Sequence, residues 1–325
     1  MRILGKTGDR EMTKDQMRKK GGKSTGDPSR RKGDGRISPF PMRPGAGENA
    51  GMRTENGAGG RLGDALRPSQ DALKLTACAA MLLDHIGGGI LEILLSEGIP
   101  NPELALWLSD IDLILRMLGR VSFPLFAYLL VQGVLHTGSL PRYALRLFVF
   151  ALISELPFDL LFFQRPTGLH QNIFWTLLLG VLTLWAVRSL ANVSRPFSVL
   201  PLPRILAAAA IMGAAMGAAV LLHTDYSWKG ILLIALIYFL RENRPAQCML
   251  TPALYLGAEY LSLLLGGYTA DYALSVFFQH VTICLSFVLI FFSVPVRRKR
   301  HRYAFYAFYP VHLSLLYLLR RVFFA

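Results

Sequence analysis

LKLTACAAMLLDHIGGGILEILL, residues 73–95, decides how the rest of the chain is read. As an α-helix rising 1.5 Å per residue it is about 34 Å long, enough to cross the roughly 30 Å of hydrocarbon in a bilayer. Its acidic and basic residues are Lys74 near one end, Asp84 and His85 in the middle, and Glu92 near the other end. Asp84 and His85 fall near the membrane midplane, where an ionisable group is costly and calls for a partner, a wet cavity or a function. Lys74 lies eleven positions before His85. That is close to three full turns, so both project from one face about 16 Å apart. Asp84, one position earlier than His85, points about 100° away and reaches the imidazole only if the helix bends. Gly87, Gly88 and Gly89 follow at once and let a neighbouring helix or a ligand approach the backbone.

Outward from this segment the chain keeps the same character. Of its 325 residues 53% are apolar and 17% charged, too apolar a mixture for an ordinary soluble domain. A net charge of +14 would suit a nucleic-acid binder, but residues 1–72 hold 16 Lys and Arg against 9 Asp and Glu, so +7 sits in that tail and +7 in short loops between apolar runs. Charges so placed set topology; they do not line a nucleic-acid groove, and no nucleic-acid partner is expected. Cys78, Cys248 and Cys284 lie inside apolar runs without CxxC or Cys/His spacing, so they read as packing residues and no metal is expected. Residues 1–70, rich in Gly, Arg, Lys, Asp, Ser and Pro, lack the apolar core of a secretory signal. That composition predicts a disordered, basic, cytoplasmic tail ahead of a membrane domain over 71–325, with Met42 and Met52 as alternative starts.

A spanning helix needs about 20 residues. Candidate stretches fall near 73–95, 113–135, 143–164, 170–190, 205–223, 229–241, 248–266, 272–294 and 303–324, the sixth being short. The expected fold is all-α, a polytopic transmembrane bundle of about nine helices set among membrane lipids. Basic residues gather in alternate connections: the tail, His136 with Arg142, Arg188 with Arg195 and Arg204, Arg241 with Arg244, and RRKRHR at 297–302. The positive-inside rule then puts the N-terminus in the cytoplasm of a plasma (inner) membrane protein and, after nine crossings, the C-terminus outside. Arg320 and Arg321 break that pattern and imply a re-entrant or snorkelling last helix. No internal repeat is visible, which weakens a transporter built from inverted halves.

The other ionisable residues within the spans cluster in depth. Arg116 and Arg120 in the second helix, and Glu155 and Asp159 in the third, are each spaced i,i+4, so two ion pairs between these helices are expected. Such pairs are structural glue more often than catalysts. Pro157 between the two acids is expected to free backbone carbonyls toward the same cavity. His170, Gln171, Asn172 and Thr176 open the fourth helix, and Tyr309, Pro310 and His312 lie near the middle of the ninth.

At these residues the chain resembles the TraX family of membrane acetyltransferases, named for a conjugative-plasmid protein that N-acetylates pilin. The likeness lies in LKLTACAAMLLDHIG, LRMLGRVSFPLFAYLLVQGVLHT, RLFVFALISELPFD, QNIFWTLLLG and FYAFYPVHLSLLYLL, and spans about residues 70–322. TraX proteins are distantly similar to the acyltransferase-3 superfamily, whose first helix carries a basic residue, ten intervening residues and a histidine. Lys74 and His85 fit that spacing, whereas Arg116 and Arg120 match the superfamily's paired-arginine motif only loosely, and the tail departs from the family. The resemblance implies an acetyltransferase with acetyl-CoA as co-substrate, entering from the cytoplasm past Lys74. His85 would be the general base, with Asp84, Glu155 or His312 to orient it. Arg116, Arg120, Asp159, Gln171, Asn172 and His312 would meet an acceptor amine or hydroxyl on a protein such as pilin, or on an envelope glycan, at the outer side. Direct transfer and an acetyl-histidine route are both open. Two readings from other classes stand beside it: a proton-coupled transporter using the His/Asp/Glu cluster, and a non-catalytic subunit of a conjugation or envelope complex.

Overall fold

The computed structural model describes residues 67–190, 201–294 and 302–323. The tail expected over 1–70 lies outside the described residues up to 66, as do Arg195 and the basic run 297–301. Among the described residues all regular structure is helical, apart from two isolated bridging pairs, Ser69 with Val294 and Gln171 with Thr224.

In chain order the helices are α1 (Gln70–Ile86), a π-helical turn (Gly87–Leu91), α2 (Glu92–Glu97), α3 (Pro102–Gly119), α4 (Ser122–His136), α5 (Leu140–Phe163), α6 (Ile173–Leu190), α7 (Leu202–Leu221), α8 (Ser227–Phe239), α9 (Arg244–Leu265), α10 (Ala270–His280), α11 (Ile283–Phe292) and α12 (Arg302–Phe323). Six runs are long and apolar enough to cross a membrane: Gln70–Glu97, Pro102–His136, Ile173–Leu190, Leu202–Leu221, Arg244–Leu265 and Ala270–Phe292. The protein is therefore a helical membrane protein. Of the other expected crossings, α8 is only 13 residues long. α5 carries Arg142, Arg146, Glu155 and Asp159, and α12 carries Arg302, Arg320 and Arg321, which dilute their apolar character.

The second run starts well before residue 113. Asn101 caps α3 by accepting from the Glu103 and Leu104 amides, with Pro102 in the first turn, where a missing N–H costs nothing. This run breaks between α3 and α4, and hydroxyls of the neighbouring helix α11 and its cap satisfy the carbonyls there. Thr282 donates to Met117 O at 2.5 Å and Ser286 to Val121 O at 2.9 Å. α5 runs unbroken through Pro157, so the expected break does not occur.

α1 packs on α3 and α4, α12 packs on α5 and α1, and α6 joins α5 to α7 and α8. Leu73, Ala77, Leu125, Val131, Leu147, Leu161 and Leu313, all nearly sealed, mark the core where these helices meet. Small residues set the closeness of α1 and α3. A Cβ on Gly88 would come within 2.8 Å of Arg116 Nη1, and one on Gly119 within 2.5 Å of Asp84 Oδ1.

Arg320, whose position runs against the charge rule, is buried and fully used. It donates to Gly89 O at 3.0 Å and Leu161 O at 2.6 Å through Nη1, and to Leu160 O at 3.0 Å through Nη2. One guanidinium thus ties the last turn of α12 to the π-turn and to the end of α5, where helix carbonyls lack intrahelical donors. Arg320→Met leaves these carbonyls short of a donor, at about 1–3 kcal/mol for each that stays unsatisfied. A fall of several degrees in the unfolding temperature in detergent is expected, partly recovered in Arg320→Lys; an unchanged midpoint for Arg320→Met would show that the clamp contributes nothing.

Candidate functional site

The arrangement at the bundle's centre begins with two imidazoles. His85, at the end of α1, and His312, in the middle of α12, place His85 Nδ1 and His312 Nε2 2.7 Å apart with rings nearly parallel at 8°. His312 Nδ1 lies 2.7 Å from Phe308 O, four residues back along its own helix. A carbonyl only accepts, so the neutral His312 ring must carry its proton on Nδ1 and present a bare Nε2. His85 must then donate from Nδ1, which leaves His85 Nε2 as a lone pair. Both residues are buried, and Tyr309 and Phe162 stand edge-on to His85, at 5.7 and 5.4 Å between centroids. Orientation of His85 therefore falls to His312; Asp84 and Glu155 are engaged elsewhere.

His85 faces a cavity of about 660 Å³. Its wall follows the first helical run from Lys74 to Ser96 and α5 from Tyr143 to Phe163. At 1.5 Å per residue each stretch covers about 30 Å, so the cavity runs most of the depth of the bundle. Lys74 stands at one end, 2.9 Å from Asp71 Oδ1 and 5.1 Å from the centroid of the Phe305 ring. Glu92 and Ser96 stand at the other end, beyond the imidazoles.

Beside His85 lies a charged cluster. Arg116 Nη1 is 3.0 Å from Asp84 Oδ2 and 3.3 Å from the Asp84 carbonyl, and its Nε is 3.1 Å from Glu92 Oε1. Asp84 Oδ1 and Arg120 Nε are buried without a hydrogen-bond partner. Arg120 lies beside the Tyr226 hydroxyl in the wall of the same cavity. Burial pushes the Asp225 carboxyl up to about 6, with Asp84 adding to the rise and Arg120 opposing it.

The two ion pairs expected between the second and third helical runs are absent: each partner binds elsewhere. Glu155 Oε2 accepts from Asn172 Nδ2 and from Trp175 Nε1, the latter at 3.1 Å. Asp159 accepts from the Thr167 and Gly168 amides at 2.7 and 2.9 Å, closing the loop after α5. Asn172 also donates to Ala151 O at 2.8 Å, and Gln171 Nε2 to Gly168 O at 2.9 Å. Glu155, Asp159, Gln171 and Asn172 thus build the wall of the bundle outside the cavity lining. Lys74, Asp84, His85, Arg116 and Arg120 line the cavity, with His312 directly behind His85. Reasoning from sequence did not single out Asp225 and Tyr226. An acid next to an aromatic residue within 5 positions of two apolar helices was the signal available.

A helical membrane protein with a histidine pair buried beside a cavity of near-membrane depth is the class defined by this fold and site. The chain belongs to the TraX family, matching the TraX protein family over residues 69–320. A protein of Dichelobacter nodosus described as "Probable fimbrial assembly protein FimC, serogroup H1" is 29% identical over 261 residues, covering 75% of this chain and 92% of its own length. No solved structure matches the chain.

Proposed function

We propose that this protein is an integral membrane acetyltransferase that moves an acetyl group from cytoplasmic acetyl-CoA to an acceptor amine or hydroxyl at the outer side of the inner membrane. In this reading the chain crosses the membrane nine times with its N-terminus in the cytoplasm. One observation carries the proposal: the relay from Phe308 O through His312 to His85 fixes the proton positions and leaves Nε2 as the lone pair of an imidazole that lines the cavity. A base needs to reach the proton it removes, and a cavity extending from the Lys74 end to the Glu92 end admits two substrates from opposite sides.

The residues present suit the co-substrate. Lys74, Tyr143, Phe305 and Tyr306 put a cation among aromatic rings at the inner mouth, a setting for a nucleotide with phosphates. Acetyl-CoA, when bound, supplies an acyl carbon activated by its thioester. His85 takes the acceptor's proton on Nε2, and His312 holds the ring so that this nitrogen stays free. Asp84, adjacent to His85, carries a negative charge near the imidazolium that results, while Arg116 holds that carboxylate in place. The similarity to a fimbrial assembly protein supports a pilin or another envelope polymer as the acceptor.

The depth of the cavity also favours a second reading, a proton-coupled transporter using the same buried groups. Wild-type protein purified in detergent is expected to bind acetyl-CoA and hydrolyse it slowly. No affinity for acetyl-CoA in folded protein would remove the acetyl-transfer reading and bring transport forward.

A further inference from the structure

Residues 222–226, between α7 and α8, turn into the bundle. Thr224 is buried. The Gln171 amide donates to His223 O at 3.1 Å, the Asp225 amide donates to Gln171 O at 2.8 Å, and the Thr176 hydroxyl donates to the Asp225 carbonyl. These bonds hold Tyr226 and Ser227 at φ of 60° and 46°, a left-handed region that residues other than glycine, asparagine, aspartate and histidine seldom enter; His223, at 49°, is one of the tolerated types. Strain of this kind persists only where its surroundings over-determine it, and it gathers at functional sites.

The outcome of that strain is the placement of Tyr226. Its ring lies on Phe123 with centroids 3.8 Å apart, and its hydroxyl meets Arg120. Tyr226 and Asp225 line the same cavity as His85 and Asp84. A guanidinium carries only donors, so the Tyr226 oxygen accepts from Arg120 and its own proton must go elsewhere. Among the described residues no acceptor takes that proton. Burial raises the pKa of the hydroxyl, with Arg120 opposing, so it stays protonated at neutral pH.

We propose that Tyr226 is a catalytic hydrogen-bond donor to the oxygen that becomes negative during acyl transfer, with Arg120 turning its proton into the cavity. This rests on the acetyl-transfer reading. As His85 Nε2 takes the acceptor's proton, the acceptor's nucleophilic atom bonds to the acyl carbon and the carbonyl electron pair moves onto oxygen, where the Tyr226 O–H holds it. When that pair returns, the carbon–sulfur bond breaks and His85 gives its proton to the departing thiolate. No charge or proton is left over, and Tyr226 keeps its own.

Tyr226→Phe removes the hydroxyl and keeps the ring on Phe123. Its kcat is expected to fall roughly 100- to 1,000-fold, as when one oxyanion donor is lost, with KM for acetyl-CoA unchanged and the unfolding temperature lowered only by the loss of one acceptor for Arg120. Tyr309→Phe, made in parallel, reports whether Tyr309, the cavity tyrosine that stands edge-on to His85, carries the role instead. Wild-type turnover retained in Tyr226→Phe overturns this inference and leaves the acetyl-transfer reading standing. Absence of turnover in the wild type overturns both.

Discussion

His85→Ala is expected to lower acetyl-CoA turnover by about 10²- to 10⁴-fold, the range for loss of a positioned general base, while acetyl-CoA binding persists. The separation of the two effects follows from geometry. Lys74, Phe305 and Tyr306 at the inner mouth are remote from the imidazole, since Lys74 and His85 stand about 16 Å apart along one helix face. Truncating His85 also opens a void between Phe162 and Tyr309, which stand edge-on to it, so helical content and unfolding temperature have to be read on the same sample. A folded variant that binds and turns over acetyl-CoA at the wild-type rate would remove His85 from the chemistry.

Arg116→Met is expected to be the most destabilising single change at the site. It strips Asp84 of its partner at 3.0 Å and frees Glu92, in a place where the Asp84 side chain is only 14% exposed. Breaking one side of a buried pair costs about 3–5 kcal/mol, because the remaining charge is left without compensation. The half-exposed Glu92 adds little to this. The double variant Arg116→Met with Asp84→Asn removes both charges and should recover much of the loss. Thermal unfolding in detergent of both singles and the double measures the coupling. A double variant no more stable than Arg116→Met alone would show that the loss comes from packing against Gly87 and Gly88 and not from charge.

Much of the architecture was legible because a bilayer imposes one rule along the whole chain. Among the described residues, length and apolarity located the helical runs to within a few residues at most ends, from Gln70–Glu97 to Arg302–Phe323, and six of them are long and apolar enough to cross a membrane. The exception was Pro102, where Glu103, Asp110 and Asp112 masked a helix start that Asn101 and Pro102 together encode. Within the site, the sequence singled out His85, Asp84, Arg116 and Arg120 because each sits in hydrocarbon at a cost. What it could not supply was pairing. Arg116 had several acids within the spans to choose from, and helical spacing favoured Glu155 and Asp159; its partners are instead Asp84 and Glu92. His312 stood with Asp84 and Glu155 as a candidate to orient His85, but the choice among the three depends on a contact between residues 227 positions apart in the chain, which nothing local decides. Tyr226 was hidden for another reason: a short connection that dips into the bundle has the same composition as one that lies over it.

The π-turn illustrates both sides. Three consecutive glycines after His85 announced a close approach, and the approach is real, to Arg116 and to Leu161. The wider turn, and Arg320 bonding to its Gly89 carbonyl, follow from a residue 231 positions away.

In the proposed reaction His312 sets the tautomer of His85, and His85 Nε2 is the base for acetyl transfer. The most direct measurement is acetyl transfer from acetyl-CoA to hydroxylamine by wild type, His85→Ala and His312→Ala prepared together in detergent, each checked for folding and acetyl-CoA binding. Transfer by the wild type and its loss in both variants, with binding kept, is the expected result. Transfer at the wild-type rate by either folded variant would contradict it.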